Sequence, residues 1–354
     1  MDNKYDHELK RLIKATVQIE LLESKMNDIK LIAGRSNEKL ARSIADSLDT
    51  ELVKCTIKDF PNGEIIVDID QSVRGKTVYF IQTGASDKDH SLNDYYVEAI
   101  QVADACRRSG TASISIIYAA FPYARSDKKD KPRISIMSAV IANGLKDAGY
   151  SRIICMDIHA SQTQGVTTIP FDNLYAIDLH IHNLLITVFR GLTIKEINDE
   201  FVLIAPDNGG SKRIRAYAEK LKMSHAIMDK QRNYAQSGTV PNCVLTGGDV
   251  KGKTAIIIDD IADTMGTMVG ALRDLTRHGV NDVIIIVTHG VLSKPALDRI
   301  NDNSKILSVI VTNTIDQTAN CMTCPKLRVV DTSELFADTI RALAVNGSIS
   351  ALFT

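Results

Sequence analysis

Net charge is what this chain most conspicuously lacks. Its 42 basic side chains stand against 43 acidic ones, a formal charge of −1 over 354 residues. Chain-wide binders of nucleic acid or anionic membrane carry a basic excess, so neither partner is expected. Any anionic ligand must then be held by a few local groups. Cysteine is sparse too, with six residues at Cys55, Cys106, Cys155, Cys243, Cys321 and Cys324. That excludes a disulfide scaffold and fits a reducing compartment. Cys321 and Cys324 form one CxxC with no second ligand pair at zinc spacing, so a surface loop is expected there. No apolar run approaches the roughly 20 residues that span a bilayer. The N-terminal stretch has no uninterrupted apolar core and carries Asp2, Asp6 and Glu8, unlike a secretory signal or a transit peptide. A cytoplasmic protein is the expectation. Short-period repeats and low-complexity tracts are also missing.

What is present is an ordinary globular composition, 44% hydrophobic and 24% charged. The length suggests two domains. Leu9, Leu12, Ile13, Val17 and Leu21 recur at helical spacing, so an amphipathic helix over residues 6–24 is expected ahead of the main body. Short β-branched runs then alternate with helical patterns. Strands are expected at 31–33, 78–82, 113–118, 153–156, 201–204, 255–258 and 283–287. Helices are expected at 38–47, 96–108, 136–148, 211–221, 266–278 and 333–343. Such alternation implies parallel βαβ units and a doubly wound α/β fold. The domain reading is an extension at 1–28, a domain at 29–176 and a second at 177–354.

Ligands of open α/β sheets bind beyond the carboxyl ends of the strands. Three runs end there in acids: IICMDIH gives Asp157 and His159, FVLIAPD gives Asp207, and AIIIDD gives Asp259 and Asp260. Asp157 and His159 are two apart at a strand end, which places both on one face. GGDVKGKT matches the P-loop spacing through Gly247, Gly252, Lys253 and Thr254. It runs into a strand instead of a helix, so it reads as a hairpin-like turn. The better phosphate cradle is Ala255–Thr267. A buried strand delivers Asp259 and Asp260, and Asp263, Thr264, Met265, Gly266 and Thr267 then open a helix. Backbone N–H groups and the two threonine hydroxyls can hold a phosphate without net positive charge. The paired carboxylates can accept hydrogen bonds from vicinal sugar hydroxyls or hold Mg²⁺.

This loop resembles that of the phosphoribosyltransferases and of ribose-phosphate pyrophosphokinase (PRPP synthetase). KLIAGRSNEKLA, FPNGE, SVRG, FPYARSDKKDK, MDIHASQTQG, PDNGG, DKQR, DDIADTMGT, VTHG, VTNTI and SISALF follow in the order of the second family. The resemblance is to its phosphate-dependent class I members. It implies two similar domains of the type I phosphoribosyltransferase kind. It also implies Mg²⁺, ATP and ribose 5-phosphate as ligands, inorganic phosphate as activator, and a homo-oligomer, hexameric in the family.

Residue by residue, the resemblance implies Lys230 and Arg232 as catalytic cations, with Asn233–Gly238 following them as a polar stretch. Phe60, Asn62 and Glu64, lent by a neighbouring chain, are implied at ATP with Arg125, Ser126, Asp127 and His159. Metal contacts fall to His159, Asp207 and Asp157, and the ribose phosphate to 259, 260 and 263–267. Ser72, Arg74, Asp130, Ser161, Asn173, Ser348, Ser350 and Phe353 match a phosphate/ADP regulatory site. Taken alone, Lys230 and Arg232 are also ordinary surface cations, and Phe60 is also a turn anchor. Ser126 stands where the family has glutamine, and Met265 where bacterial members have glycine. Residues 133–139 and 166–168 also depart, and a short insertion falls near Ser86–Ser91. Two further readings stay open: a catalytically weak regulatory subunit, and a phosphoribosyltransferase that consumes PRPP.

Overall fold

The computed structural model describes residues 23–231 and 242–353; of Lys230, Gln231, Asn242 and Cys243 it describes only the backbone. Residues 6–22 of the expected N-terminal helix lie outside that range. The chain divides into two compact units. The first takes residues up to Cys155 together with Ala160–Leu174 and Ser333–Thr354, and the second takes Met156–His159 and Tyr175–Thr332. Ser333–Thr354 thus groups with the first unit. Helix Ser333–Ala344 buries Phe336, Ala337 and Ile340, and packs on helix Glu38–Ser47, whose buried face is Leu40, Ala41, Ile44 and Ala45. Arg341 also donates to the Ser47 carbonyl.

In the first unit, strands β1 (Ile29–Ala33), β4 (Thr77–Gln82), β5 (Ser113–Tyr118), β6 (Arg152–Met156) and β7 (Phe171–Leu174) form one sheet in the order β1-β4-β5-β6-β7. The pairings from β1 to β6 are parallel. Between β1 and β4, β2 (Cys55–Asp59) and β3 (Ile65–Ile69) make a separate antiparallel ribbon. Helix Leu92–Arg108 packs on β3 and begins in a capping box of Ser91 and Asp94, which satisfies two otherwise orphaned N–H groups.

The second unit holds a seven-stranded sheet. Its strands are β8 (Phe201–Ala205), β9 (His225–Gln231), β10 (Asn242–Gly247), β11 (Thr254–Ala262), β12 (Val283–Gly290), β13 (Ile306–Thr312) and β14 (Leu327–Val330). Their order is β10-β9-β8-β11-β12-β13-β14, parallel except for β10 against β9. Every residue of β12 is buried, as expected of a strand covered on both faces. Side-chain alternation sorts the core into two layers. Val202, Ile204, Ile257, Val283 and Ile285 pack with Met268, Leu272 and Leu275 of helix Gly266–Arg277. Leu203, Ile256, Ile258, Ile284 and Ile286 pack with Ile214 and Tyr217 of helix Ser211–Leu221 and Leu184 of helix Ile177–Ile186.

The GGDVKGKT segment links β10 to β11, which are not neighbours, so it is a crossover turn and no hairpin. Lys253 Nζ is spent on the Asn198 carbonyl at 2.5 Å. The CxxC is not all loop either. Cys321 is exposed on helix Thr318–Thr323, and Cys324 at its end is fully buried in the core. Among the described residues, no helix is long and apolar enough to cross a membrane.

His180 is buried against Tyr217, with Nδ1 2.7 Å from the phenol oxygen. Burial holds its pKa down to about 3, with the charges of His289 and Arg213 adding. The folded state thus keeps a neutral imidazole that the unfolded chain protonates near its usual 6.5. Its contribution to stability is full above that value and is lost as pH falls toward 3. Unfolding midpoints measured across this window should fall for the wild type more steeply than for His180→Asn. Parallel curves would show that His180 does not titrate this way.

Candidate active site

β11 carries four fully buried apolar residues, Ala255–Ile258, and then emerges from the core at Asp259 and Asp260. Asp260 is 3% exposed. Two adjacent carboxylates this deep repel one another and lose hydration, so each needs compensation. Arg213 supplies it from helix Ser211–Leu221. Its Nη1 lies 2.9 Å from Asp259 Oδ1 and its Nη2 3.2 Å from Asp260 Oδ1. His159 Nδ1 approaches Asp260 Oδ2 at 2.7 Å. The two acids respond differently. Burial and the neighbouring Asp260 push Asp259 up to about 7, although Arg213 opposes them. Burial works the same way on Asp260, but the His159 hydrogen bond and the Arg213 charge outweigh it and hold that carboxyl well below the usual range.

The loop beyond turns on Met265, whose φ of 62° is left-handed. That conformation suits glycine and costs other residues about 1 kcal/mol. Here the side chain is 2% exposed and inserted in the core beside Met268. Thr264, Gly266 and Thr267 stay exposed at the start of helix Gly266–Arg277, where the unpaired N–H groups point outward. Arg299 Nη1 donates to the Thr264 carbonyl at 2.6 Å and steadies the loop. Asp263 is half-buried.

β6 stops at Met156, and Asp157 breaks the strand with a φ of 38°. The alternation that would put Asp157 and His159 on one face therefore does not continue. Asp157 turns inward: its Oδ2 accepts from Thr288 Oγ1 at 2.5 Å and from the Ala176 amide at 3.3 Å. His289 Nε2 lies 2.8 Å from the Met156 carbonyl, so the polar end of β12 holds this segment from below. Asp207 is exposed after β8, and its Oδ1 accepts from the Gly210 amide at 3.2 Å, capping the turn that leads to Arg213.

Lys230 lies on β9, its backbone opposite Cys243 of β10. Arg232 and Asn233–Gly238 lie outside the described residues. Phe60, Asn62 and Glu64 form the exposed tip of the β2–β3 ribbon. The Phe60 amide donates to the Glu64 carbonyl at 2.7 Å, Asn62 Oδ1 accepts from the Glu64 amide, and Phe60 is 45% exposed. Arg125 is exposed in the loop after β5, and Asp127 Oδ2 accepts from Gln162 at 2.9 Å. The Ser126 hydroxyl is occupied at the start of helix Met137–Ala148, accepting from the Met137 amide and donating to the Ser135 carbonyl. Ser72, Arg74, Asp130, Ser161, Ser348 and Ser350 are exposed and Asn173 and Phe353 half-buried; all eight belong to the first unit.

Arg213, Thr288 and His289 were not assigned roles by sequence reasoning. The signal for Arg213 was available: paired buried carboxylates demand a nearby cation. Among the described residues, no three His, Cys, Asp or Glu side chains converge on a ready metal site. The exposed donors are the Asp207 carboxylate and the His159 imidazole; so small a set suits an Mg²⁺ carried mainly by substrate phosphates and water better than a closed protein cage.

The family description for the N-terminal domain of ribose phosphate pyrophosphokinase matches residues 29–149, and that for the phosphoribosyl synthetase-associated domain matches 236–354. The crystal structure of phosphoribosylpyrophosphate synthetase from Mycobacterium smegmatis is similar at a TM-score of 0.80 and 36% identity, covering 90% of this chain and 99% of that one. Adenine phosphoribosyltransferase from Saccharomyces cerevisiae matches at 15% identity and a TM-score of 0.27, over 37% of this chain and 74% of that one, and carries no argument.

Met265→Gly tests the loop anchor. Relief of the left-handed backbone is worth about 1 kcal/mol, and loss of a buried methionine costs about 2–5 kcal/mol. The denaturant midpoint should fall. A raised midpoint would show that the side chain anchors nothing.

Proposed function

Because the chain belongs to the ribose-phosphate pyrophosphokinase (PRPP synthetase) family, we propose that it transfers the diphosphoryl group of Mg-ATP to the 1-hydroxyl of ribose 5-phosphate. The products are 5-phosphoribosyl 1-diphosphate and AMP. The observation that carries this reading is the clamped pair Asp259–Asp260 running into the exposed helix start at Thr264–Thr267. Such an edge offers carboxylates to sugar hydroxyls and backbone N–H groups to a phosphate within nine residues of chain.

Asp259, Asp260 and Asp263 orient the ribose, and Thr264, Met265, Gly266 and Thr267 hold its 5-phosphate. Lys230 and Arg232 neutralise charge as it builds on the transferring group, and positioning supplies most of the remaining acceleration. Bound Mg²⁺ would supply further charge neutralisation on the phosphates; His159 and Asp207 would hold it, and the inward-turned Asp157 would support His159's segment. Phe60 stacks on adenine, Asn62 and Glu64 meet its edge, Arg125 contacts the ATP phosphates, and Ser126 and Asp127 complete that element of the ATP site. An exposed aromatic at a ribbon tip supports a ring lent to a neighbouring subunit, hence a homo-oligomer, here proposed as a hexamer. Inorganic phosphate as activator and ADP as inhibitor would act through Ser72, Arg74, Asp130, Ser161, Asn173, Ser348, Ser350 and Phe353. The setting is cytoplasmic nucleotide biosynthesis.

One observation favours the weaker-subunit reading: the Ser126 hydroxyl is already used within the fold. A single assay decides. With ribose 5-phosphate, ATP and Mg²⁺, AMP and 5-phosphoribosyl 1-diphosphate should appear in equal amounts. Lys230→Ala should lower kcat by roughly 100-fold or more, the size expected for one lost transition-state contact, with an unchanged unfolding midpoint. No AMP above background from the wild type would contradict the proposed reaction.

A further inference from the structure

Arg213 lies outside every motif residue assigned to substrate or metal, yet it is the group both ribose-loop acids depend on. Asp259 and Asp260 have side chains only 19% and 5% exposed, and the guanidinium bridges them with one nitrogen each, at 2.9 and 3.2 Å. A guanidinium is planar and rigid, so a two-pronged contact fixes the separation and aim of its partners in a way a lysine cannot. The arginine is itself held. The turn before it is capped by Asp207 on the Gly210 amide, and Ile214 beside it is fully buried. Tyr217 stands one helical turn on, 2% exposed, with its hydroxyl 2.7 Å from His180 Nδ1. The helix therefore cannot roll without breaking a buried packing face.

We propose that Arg213 is a positioning residue that pre-sets the two carboxylates for the hydroxyls of the sugar phosphate, without touching the substrate itself. This rests on the proposed reaction. It assigns Arg213 a selective effect: the sugar-phosphate half of the site should suffer, while the nucleotide half should not. A residue that merely holds the fold together would damage both halves alike.

The test uses the full chain with Arg213→Met and Arg213→Lys. Steady-state KM is measured for each substrate, and binding of ribose 5-phosphate alone is measured by calorimetry. Arg213→Met should raise KM and Kd for ribose 5-phosphate about 10- to 100-fold, as loss of one or two orienting contacts predicts, and leave KM for ATP within about twofold. Arg213→Lys should recover part of the loss, because it restores charge without the fork; it also decides the matter if Arg213→Met does not fold. Equal rises for both substrates, or no change in ribose 5-phosphate binding by either variant, would overturn the assignment. A wild type that binds no ribose 5-phosphate would overturn the proposed reaction, and this role with it.

Discussion

Two adjacent carboxyl groups at the mouth of a buried strand are tolerable only if cations or a retained proton meet them, and that constraint shapes this edge of the second unit. Asp259 and Asp260 share the Arg213 guanidinium, and Asp260 takes His159 as well. Removing one partner from such a buried set strands a charge in a poorly hydrated place, which costs several kcal/mol. The second unit answers with three of its own segments: β11 contributes the acids, the turn after β8 leads to the arginine, and Met156–His159 brings the histidine. Polar groups at the end of β12, Thr288 and His289, hold that last segment in place.

On the proposed reading, the same economy lets a chain of nearly zero net charge face a sugar phosphate. The proposed phosphate contacts are backbone N–H groups at the start of helix Gly266–Arg277, and the loop that presents them is pinned by Met265 in the core and by Arg299 on the Thr264 carbonyl. Cations are then spent on organising acids.

Much of this was readable from residues. The β-branched runs located seven of the fourteen strands among the described residues, with starts within two residues, but β11 and β12 run four and three residues past their expected ends and β7, β9, β10, β13 and β14 were not expected; helices Glu38–Ser47 and Ser211–Leu221 have their expected bounds. Buried central strands announce themselves because both faces are apolar. The ribbon of β2 and β3 did not, since CTIKD and IIVDI carry charged residues on an exposed face and lack a core pattern of their own. Asp157 misled for a local reason: one residue in a left-handed conformation ends strand alternation, and nothing in MDIH reveals it. In SKRIR, three basic side chains compete, and only the packing of Ile214 and Tyr217 selects Arg213 as the one that turns toward the acids. The motif order carried the family assignment; the internal charge balance needed coordinates.

The account stands on Arg213 and the acids acting as one unit, and a double-mutant cycle measures that directly. Unfolding free energies are taken for the wild type, Arg213→Met, Asp260→Asn and the double variant. Arg213→Met alone should cost about 3–5 kcal/mol, the usual cost of leaving a buried charge unpaired. The double variant should then lose less than the sum of the two single changes, by about 1–3 kcal/mol. Strict additivity would contradict the account, because it would mean the guanidinium and the carboxylate do not sense one another.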